Sequence, residues 1–429
     1  MSSLSNTTFT GVELDNIRRD FPILRRLGRS GEPLVYLDSA ATSQKPQQVI
    51  DAVSQFYSLH NGAVNRGTHL LADESTDAYE QARARVAQFI GAKSAEIVWT
   101  KNATEALNLV AGSMLQASLG APTELDNLRL GEGDRIVVTR AEHHANLVPW
   151  QILCARTGAE LAWLDLHEDG RIDLETLNRI TPNTKVVAFT HVSNVTGAIS
   201  PVAQIVAAAQ SVGALTVLDT CQSSAHMPLN ISALDVDFAV LSSHKMYGPT
   251  GVGALWGRGE ILAQMPPFLT GGSMVTDVSM EETTFQTPPS RFEAGSQPVA
   301  QIVGWSAALD YLDKVGMDRI CAHEDALGAM MLEGIANIPG VRVLGPTEPS
   351  ERVAVVAFAV DGVHPHDVGQ ILDAHSVAIR VGHHCAIPLH RHFGVRSSAR
   401  ASASMVTSET DIDRFVFALG KVRDFFGVA

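Results

Sequence analysis

The chain carries two kinds of hydrophobic pattern. Residues 15–24, 47–59 and 72–90 place apolar side chains at helical spacing, the first closing near Pro22, and a short strand is expected at 34–37. From residue 97 onward, apolar runs of strand length recur at 97–100, 136–139, 161–164, 186–190, 215–219, 238–242 and 252–256. Helical stretches at 104–116, 146–157, 174–180 and 201–212 lie between several of them. Strand and helix in alternation need crossovers, and crossovers give a mostly parallel sheet covered on both faces. The expected fold class is therefore α/β, with ligands binding beyond the carboxyl ends of the strands.

The pattern then changes. Residues 269–289, rich in Gly, Ser, Thr and Pro, read as an excursion or hairpin, and 298–315 as one long helix. A shorter α+β series follows: helix 320–338, strand 353–360, helix 365–375, strand 377–380, a cysteine-bearing loop, strand 400–405 and helix 410–426. This predicts a second, smaller domain. Met1 to about Gly11 is polar and expected to be loose.

Composition narrows the field. With 429 residues, 45% of them hydrophobic and 18% charged, the chain is not a disordered one. Its net charge of -14 argues against a general nucleic-acid binder. The longest strongly apolar run, 353–360, is far short of the roughly 20 residues that span a bilayer. The N-terminus has no basic stretch followed by an apolar one, so no secretory signal is expected. Cys154, Cys221, Cys321 and Cys385 are scattered and form no C-x-x-C pair, which reads as a reducing cytoplasm.

The strand ends carry the chemistry. In L-T-V-L-D-T-C-Q, Asp219 closes a buried strand. It reads either as a helix cap or as a carboxylate aimed at a protonated ring nitrogen, with Gln222 on another edge of that ring. In S-S-H-K-M-Y-G-P-T-G, Lys245 follows a run that should be buried, a better setting for a Schiff-base lysine than for a solvated one. Ser242 and His244 beside it suit a phosphate. Asn102 reads as an N-cap with Glu105 at N3, a capping box, and the helix start adds free N–H groups and the Thr104 hydroxyl for an anion. His143, after another strand end, offers a flat ring to stack on a cofactor; His144 reads as structural. An acid for a pyridinium nitrogen, a lysine for an aldehyde and a phosphate seat are the fixtures that pyridoxal phosphate requires.

A second signal is V-A-I-R-V-G-H-H-C-A-I-P-L. Cys385 follows His383 and His384 and lies near Arg380. The local reading leaves three options: a buried inert cysteine, a zinc site, whose spacing matches no standard pattern, or a reactive thiol. No metal is expected. Arg400 opens a predicted strand in the same domain and is placed to clamp a substrate carboxylate bidentately, with Asn194 of the large domain sharing the task.

These motifs, together with Y-L-D-S-A-A-T-S, N-R-G-T-H, A-E-H-H-A-N-L-V-P-W-Q, T-H-V-S-N-V-T-G and R-F-E-A-G, resemble those of the SUF-type (group II) cysteine desulfurases, of class V aminotransferase fold. The resemblance covers residues 15–426. It implies a large, mostly parallel seven-stranded domain over 32–297 and a small domain made of 1–31 and 298–429. It makes Lys245 the cofactor-linked lysine, His143 the ring stacker, Asp219 and Gln222 the partners of the ring nitrogen and phenolic oxygen, and Thr104, Ser242 and His244 the phosphate ligands. Cys385 becomes the persulfide carrier, and Arg400, Asn194 and Arg380 the substrate site. Ser296 would reach the phosphate of the other chain in a homodimer. Two departures stand out: Ser296-Gln297-Pro298 replaces a common Thr-Pro, and Ala103 stands where a second hydroxyl is common. The implied activity turns L-cysteine into L-alanine and passes sulfur to iron–sulfur assembly through a SufE-like or zinc-bearing SufU-like acceptor, which His366 would contact. Selenocysteine lyase and cysteine sulfinate desulfinase are the sister activities.

Overall fold

The structure is a computed structural model, and it describes residues 8–65 and 67–427. The seven expected strands assemble into one sheet. Its spatial order is Ile97–Thr100, Gly253–Gly257, Phe238–Ser242, Leu215–Asp219, Thr184–Thr190, Arg135–Thr139, Glu160–Leu164. Gly253–Gly257 is antiparallel to both neighbours, and the others run parallel. Ile97–Thr100, Leu215–Asp219 and Phe238–Ser242 are buried at every residue, which is why they read as unbroken apolar runs.

A second sheet of four antiparallel strands has the order Val341–Leu344, Val355–Val360, Ser398–Ser402, Arg380–Gly382. Helices Met317–Ala336, Pro365–Ala374 and Glu409–Gly420 pack around it. Val35–Tyr36 pairs in parallel with Val377–Ala378, so the chain joins this smaller layer before it enters the large one. The long helix Val299–Val315 packs on Gln47–Gln55 and Leu70–Phe89, beside the large sheet. Residues 269–289 do form a hairpin, Val275–Val278 with Thr283–Phe285.

Several expectations need correction. The first helix spans Gly11–Arg19 rather than 15–24, because Thr10 and Glu13 form a capping box at its start. Pro22 instead begins a separate short turn, Pro22–Arg25. The chain is thus ordered by Thr10, earlier than the loose segment expected; residues 1–7 lie outside the described residues, as does Arg66 of N-R-G-T-H. Expected strand 377–380 is two short strands that pair with different partners. Expected strand 400–405 is Ser398–Ser402, and helix 410–426 breaks into Glu409–Gly420 and Val422–Phe426. Segment 174–180 is a 3₁₀ stretch. Among the described residues, no helix is long and apolar enough to cross a membrane.

Candidate active site

A cavity of about 210 Å³ opens at the carboxyl ends of the large sheet. Thr104 lines it beyond Ile97–Thr100, His143 beyond Arg135–Thr139, and Asn194 beyond Thr184–Thr190. Asp219 and Gln222 line it at the end of Leu215–Asp219, and Ser242, His244 and Lys245 at the end of Phe238–Ser242. The small layer closes the opposite wall with Arg380, Cys385 and Arg400. Two expected residues lie elsewhere. Ser296 lines a separate cavity with Asn61, Tyr79 and Glu293, and His366 is exposed in the first turn of Pro365–Ala374.

Asp219 accepts a bond from Cys221 N at 3.0 Å. Gln222 donates through Nε2 to Ala40 O at 3.0 Å, and its buried Oε1 has no partner among the protein atoms. Ser242 Oγ accepts from Ala103 N at 3.0 Å, so its own proton points elsewhere. Asn102 caps the helix Ala103–Ser118 by accepting from Glu105 N at 3.0 Å. The reciprocal half of the expected capping box is absent, because the Glu105 carboxylate turns to Lys101 at 3.8 Å. Gly253 allows this arrangement: a Cβ there would lie 2.7 Å from Asn102 Cα and 2.6 Å from Leu241 O. Any side chain would push the helix start off the strand.

Burial sets the charge states. It drives the His143 imidazole down to about 4, with the Lys245 charge acting in the same direction. His244 falls to about 4 for the same two reasons, with Lys45 adding to them. Both rings are therefore neutral at neutral pH. The turn that carries Lys245 is held through the His244 carbonyl, which accepts from Thr42 Oγ1 at 3.1 Å, Ser43 Oγ at 3.0 Å and Lys45 Nζ at 3.0 Å. Lys45 is pushed down to about 8 by burial.

On the opposite wall, Arg380 and Arg400 are direct cross-strand partners. Like charges so placed repel. Asp38 offsets this with a bond from Arg400 Nη2 at 3.1 Å, while Asn194 O takes Nη1 at 2.8 Å. Burial lowers Arg400 to about 10, Asp38 works against that, and buried Nε has no partner among the protein atoms. The result is a cationic corner with an unused donor.

The cysteine loop is bent. His384 and Cys385 take φ of 47° and 55°, in the left-handed region that non-glycine residues seldom enter. The large layer holds them there. Asn194 Nδ2 donates to His384 O at 2.7 Å, His144 N to Cys385 O at 2.7 Å, and Ile387 N to His144 Nε2 at 3.1 Å. His384 Nε2 also meets Ser398 Oγ at 3.0 Å. His144, His383 and Cys385 bring potential metal-ligand atoms within 4.8 Å of one another. However, His144 Nε2 and His383 Nδ1 already accept from backbone amides.

Sequence reading missed Asp38, Lys45 and the anchoring role of His144. Asp38 follows the strand Val35–Tyr36, so the strand-end argument used elsewhere would have found it. Neither Lys45 nor His144 carries a local signal.

His191 yields a pH prediction. It is 5% exposed, its Nδ1 has no partner among the protein atoms, and burial lowers it to about 4. Unfolded, an imidazole titrates near about 6.5. Between those values the unfolded chain holds more protons, so this ring makes stability fall as pH drops through the window. The melting temperature of the wild type should therefore fall more steeply than that of His191→Gln between about pH 6.5 and pH 5. Parallel slopes in calorimetry would refute it.

The donor set fits the cofactor expected from the sequence. Lys245 suits an aldehyde, Asp219 a ring nitrogen, the partnerless Gln222 amide another ring substituent, and Thr104 with Ser242 a phosphate at a helix start.

The model of the aminotransferase class-V family matches residues 35–415, and the chain belongs to that family. A "Probable cysteine desulfurase 2" of Mycobacterium leprae is 51% identical over 420 residues, covering 98% of this chain and 99% of the relative. The apo cysteine desulfurase of Thermococcus onnurineus superposes with a TM-score of 0.89 at 36% identity, over 96% of this chain and 98% of the other. The cysteine desulfurase CsdA of Escherichia coli gives a TM-score of 0.86 at 36% identity, over 97% and 99%. Within the family, the chain belongs with the cysteine desulfurases.

Proposed function

We propose that this chain uses pyridoxal phosphate to convert L-cysteine into L-alanine, holds the released sulfur as a persulfide on Cys385, and hands it on for iron–sulfur cluster assembly. One observation carries the reading: Lys245 and Asp219 from the large sheet and Cys385 and Arg400 from the small layer line a single small cavity.

Lys245 would join the cofactor's aldehyde and move the substrate's α-proton. Asp219 would hold the ring nitrogen, Gln222 the phenolic oxygen and the neutral His143 ring one face. Thr104, Ser242 and His244 would receive the phosphate. The bound cofactor supplies an electron sink at the substrate's α-carbon. Arg400, with Arg380 and Asn194, would orient the substrate carboxylate. The Cys385 thiolate then forms a bond to the substrate sulfur as the C–S bond breaks. The electron pair of that bond stays with carbon, which takes up a proton to give alanine. L-Cysteine and a thiol thus become L-alanine and a persulfide, with atoms and electrons balanced.

The four free cysteines suit a reducing cytoplasm. The exposed Ser296 lies away from this cavity, as expected if it serves the phosphate of a second chain in a homodimer. The exposed His366 is offered as the contact of a zinc-bearing acceptor. A single-chain mass in sedimentation, or unchanged acceptor stimulation in His366→Ala, would remove these two assignments. The central test is incubation with L-cysteine. Alanine should form together with a mass gain of one sulfur atom on the Cys385 peptide. Alanine without that mass gain would overturn the persulfide.

A further inference from the structure

Behind His143 lies a buried acid that the reaction above does not use. Glu142 is 1% exposed. Its Oε1 accepts from Thr139 Oγ1 at 2.6 Å and Thr190 N at 3.0 Å, and its Oε2 accepts from Asn146 Nδ2 at 2.6 Å. Asn146 turns its Oδ1 to Trp150 Nε1 at 3.0 Å, and Trp150 is fully buried. An indole N–H can only donate. Trp150 therefore fixes the Asn146 amide, oxygen toward the indole and nitrogen toward Glu142. The Asn146 amide and the Thr190 N–H can then only donate, one to each carboxyl oxygen of Glu142, while the Thr139 hydroxyl can donate or accept. Burial pushes this carboxyl up to about 8, the three donors work against that, and Asp219 nearby adds to the rise.

The position explains what the network does. Thr139 ends one strand of the large sheet and Thr190 ends its neighbour. Glu142 ties the turn that follows Thr139 to the ends of both strands. The next residue, His143, enters the cavity, with Nδ1 accepting from Ala145 N at 3.1 Å inside the same turn. The residue after that, His144, holds the carbonyl of Cys385.

We propose that Glu142 is a positioning residue: its hydrogen-bonded carboxyl group fixes the height of the His143 ring in the cavity and, through His144, the seat of the cysteine loop. The proposal rests on the reading that this cavity takes pyridoxal phosphate with His143 against its ring.

The test exploits the fixed Asn146 amide. In Glu142→Gln the new NH₂ group meets a donor in either orientation, and Asn146 cannot turn without facing the Trp150 N–H. In the double variant Glu142→Gln/Asn146→Asp, the introduced aspartate accepts from both the introduced glutamine's Nε2 and Trp150 Nε1, while the glutamine oxygen keeps Thr139 and Thr190. Every hydrogen bond returns, with the acid moved along the network to position 146. Cofactor affinity, the pH midpoint of the bound cofactor's visible absorbance, kcat, KM and melting temperature are measured on each holoenzyme.

Glu142→Gln should bind pyridoxal phosphate about tenfold more weakly, the size of one unmatched buried donor. Its absorbance midpoint should shift, and kcat should fall with KM for L-cysteine little changed. The double variant should return to within about threefold of wild type on all of these. Glu324→Gln is the control. It leaves an unmatched amide in an equally buried pair, whose carboxylate meets His226 at 2.5 Å outside the cavity lining. It should lower the melting temperature without moving the absorbance midpoint. Wild-type cofactor binding and midpoint in Glu142→Gln would overturn the proposal. So would a folded double variant no better than the single one, since the place of the acid and not the bonding would then matter. If the wild-type chain takes up no pyridoxal phosphate, the functional reading fails first and the proposal with it.

Discussion

Lys245→Ala is expected to lose at least about a thousandfold in turnover, within the range that a positioned proton-transfer group contributes. It should also lose the visible absorbance of a lysine-bound cofactor. The reason is positional. Lys245 closes a short turn directly after the fully buried strand Phe238–Ser242. Lys45 comes close to this turn, but its Nζ is engaged by the carbonyls of Ser43 and His244. Among the described residues lining the cavity, Lys245 is the lysine. Absorption spectra and alanine release on the purified variant check this. A lysine-linked cofactor surviving in the variant would show that the assignment is wrong.

Cys385→Ala separates the mechanism from the fold. The variant should keep the cofactor colour, because Lys245 and Asp219 stand on the other sheet. It should lose nearly all alanine release from L-cysteine, because no thiolate then accepts the sulfur. Selenocysteine should suffer less. Its C–Se bond is weaker and a selenol is more acidic than a thiol, so selenium leaves with less help from a nucleophile. The expected result is a split between the two substrates. Equal loss on both would make Cys385 a shaper of the site, and full activity with L-cysteine would favour a plain lyase.

The large sheet was legible because its inner strands are buried on both faces. Burial turns Leu215–Asp219 and Phe238–Ser242 into apolar runs, and the polar residue that ends each run stands out. The cavity residues of the large sheet were found from such endings. The small sheet was harder. Ser398–Ser402 is buried at every position, yet reads S-A-R-A-S, with small side chains flanking Arg400. No apolar run marks it, and Met405 drew the expected strand too far along. Val341–Leu344 is a partly exposed edge strand with Arg342 in it, and it went unread. The half-formed capping box at Asn102 was misread because Glu105 has a choice of partners that only the fold decides. His144 looked structural, and it is, but its structural duty is toward a loop more than two hundred residues away.

That duty bears on how such enzymes can be altered. The left-handed pair His384–Cys385 is held from outside the loop as well as within it. Asn194 and His144, which belong to the other sheet, take the carbonyls of both residues. The loop is therefore not portable. Transplanted alone onto a related scaffold, it should relax toward right-handed or extended backbone, and its thiol should leave the cavity wall. Moving the sulfur chemistry proposed above means moving three separate stretches of chain together, and shuffling the small layer by itself would carry the cysteine across without these anchors.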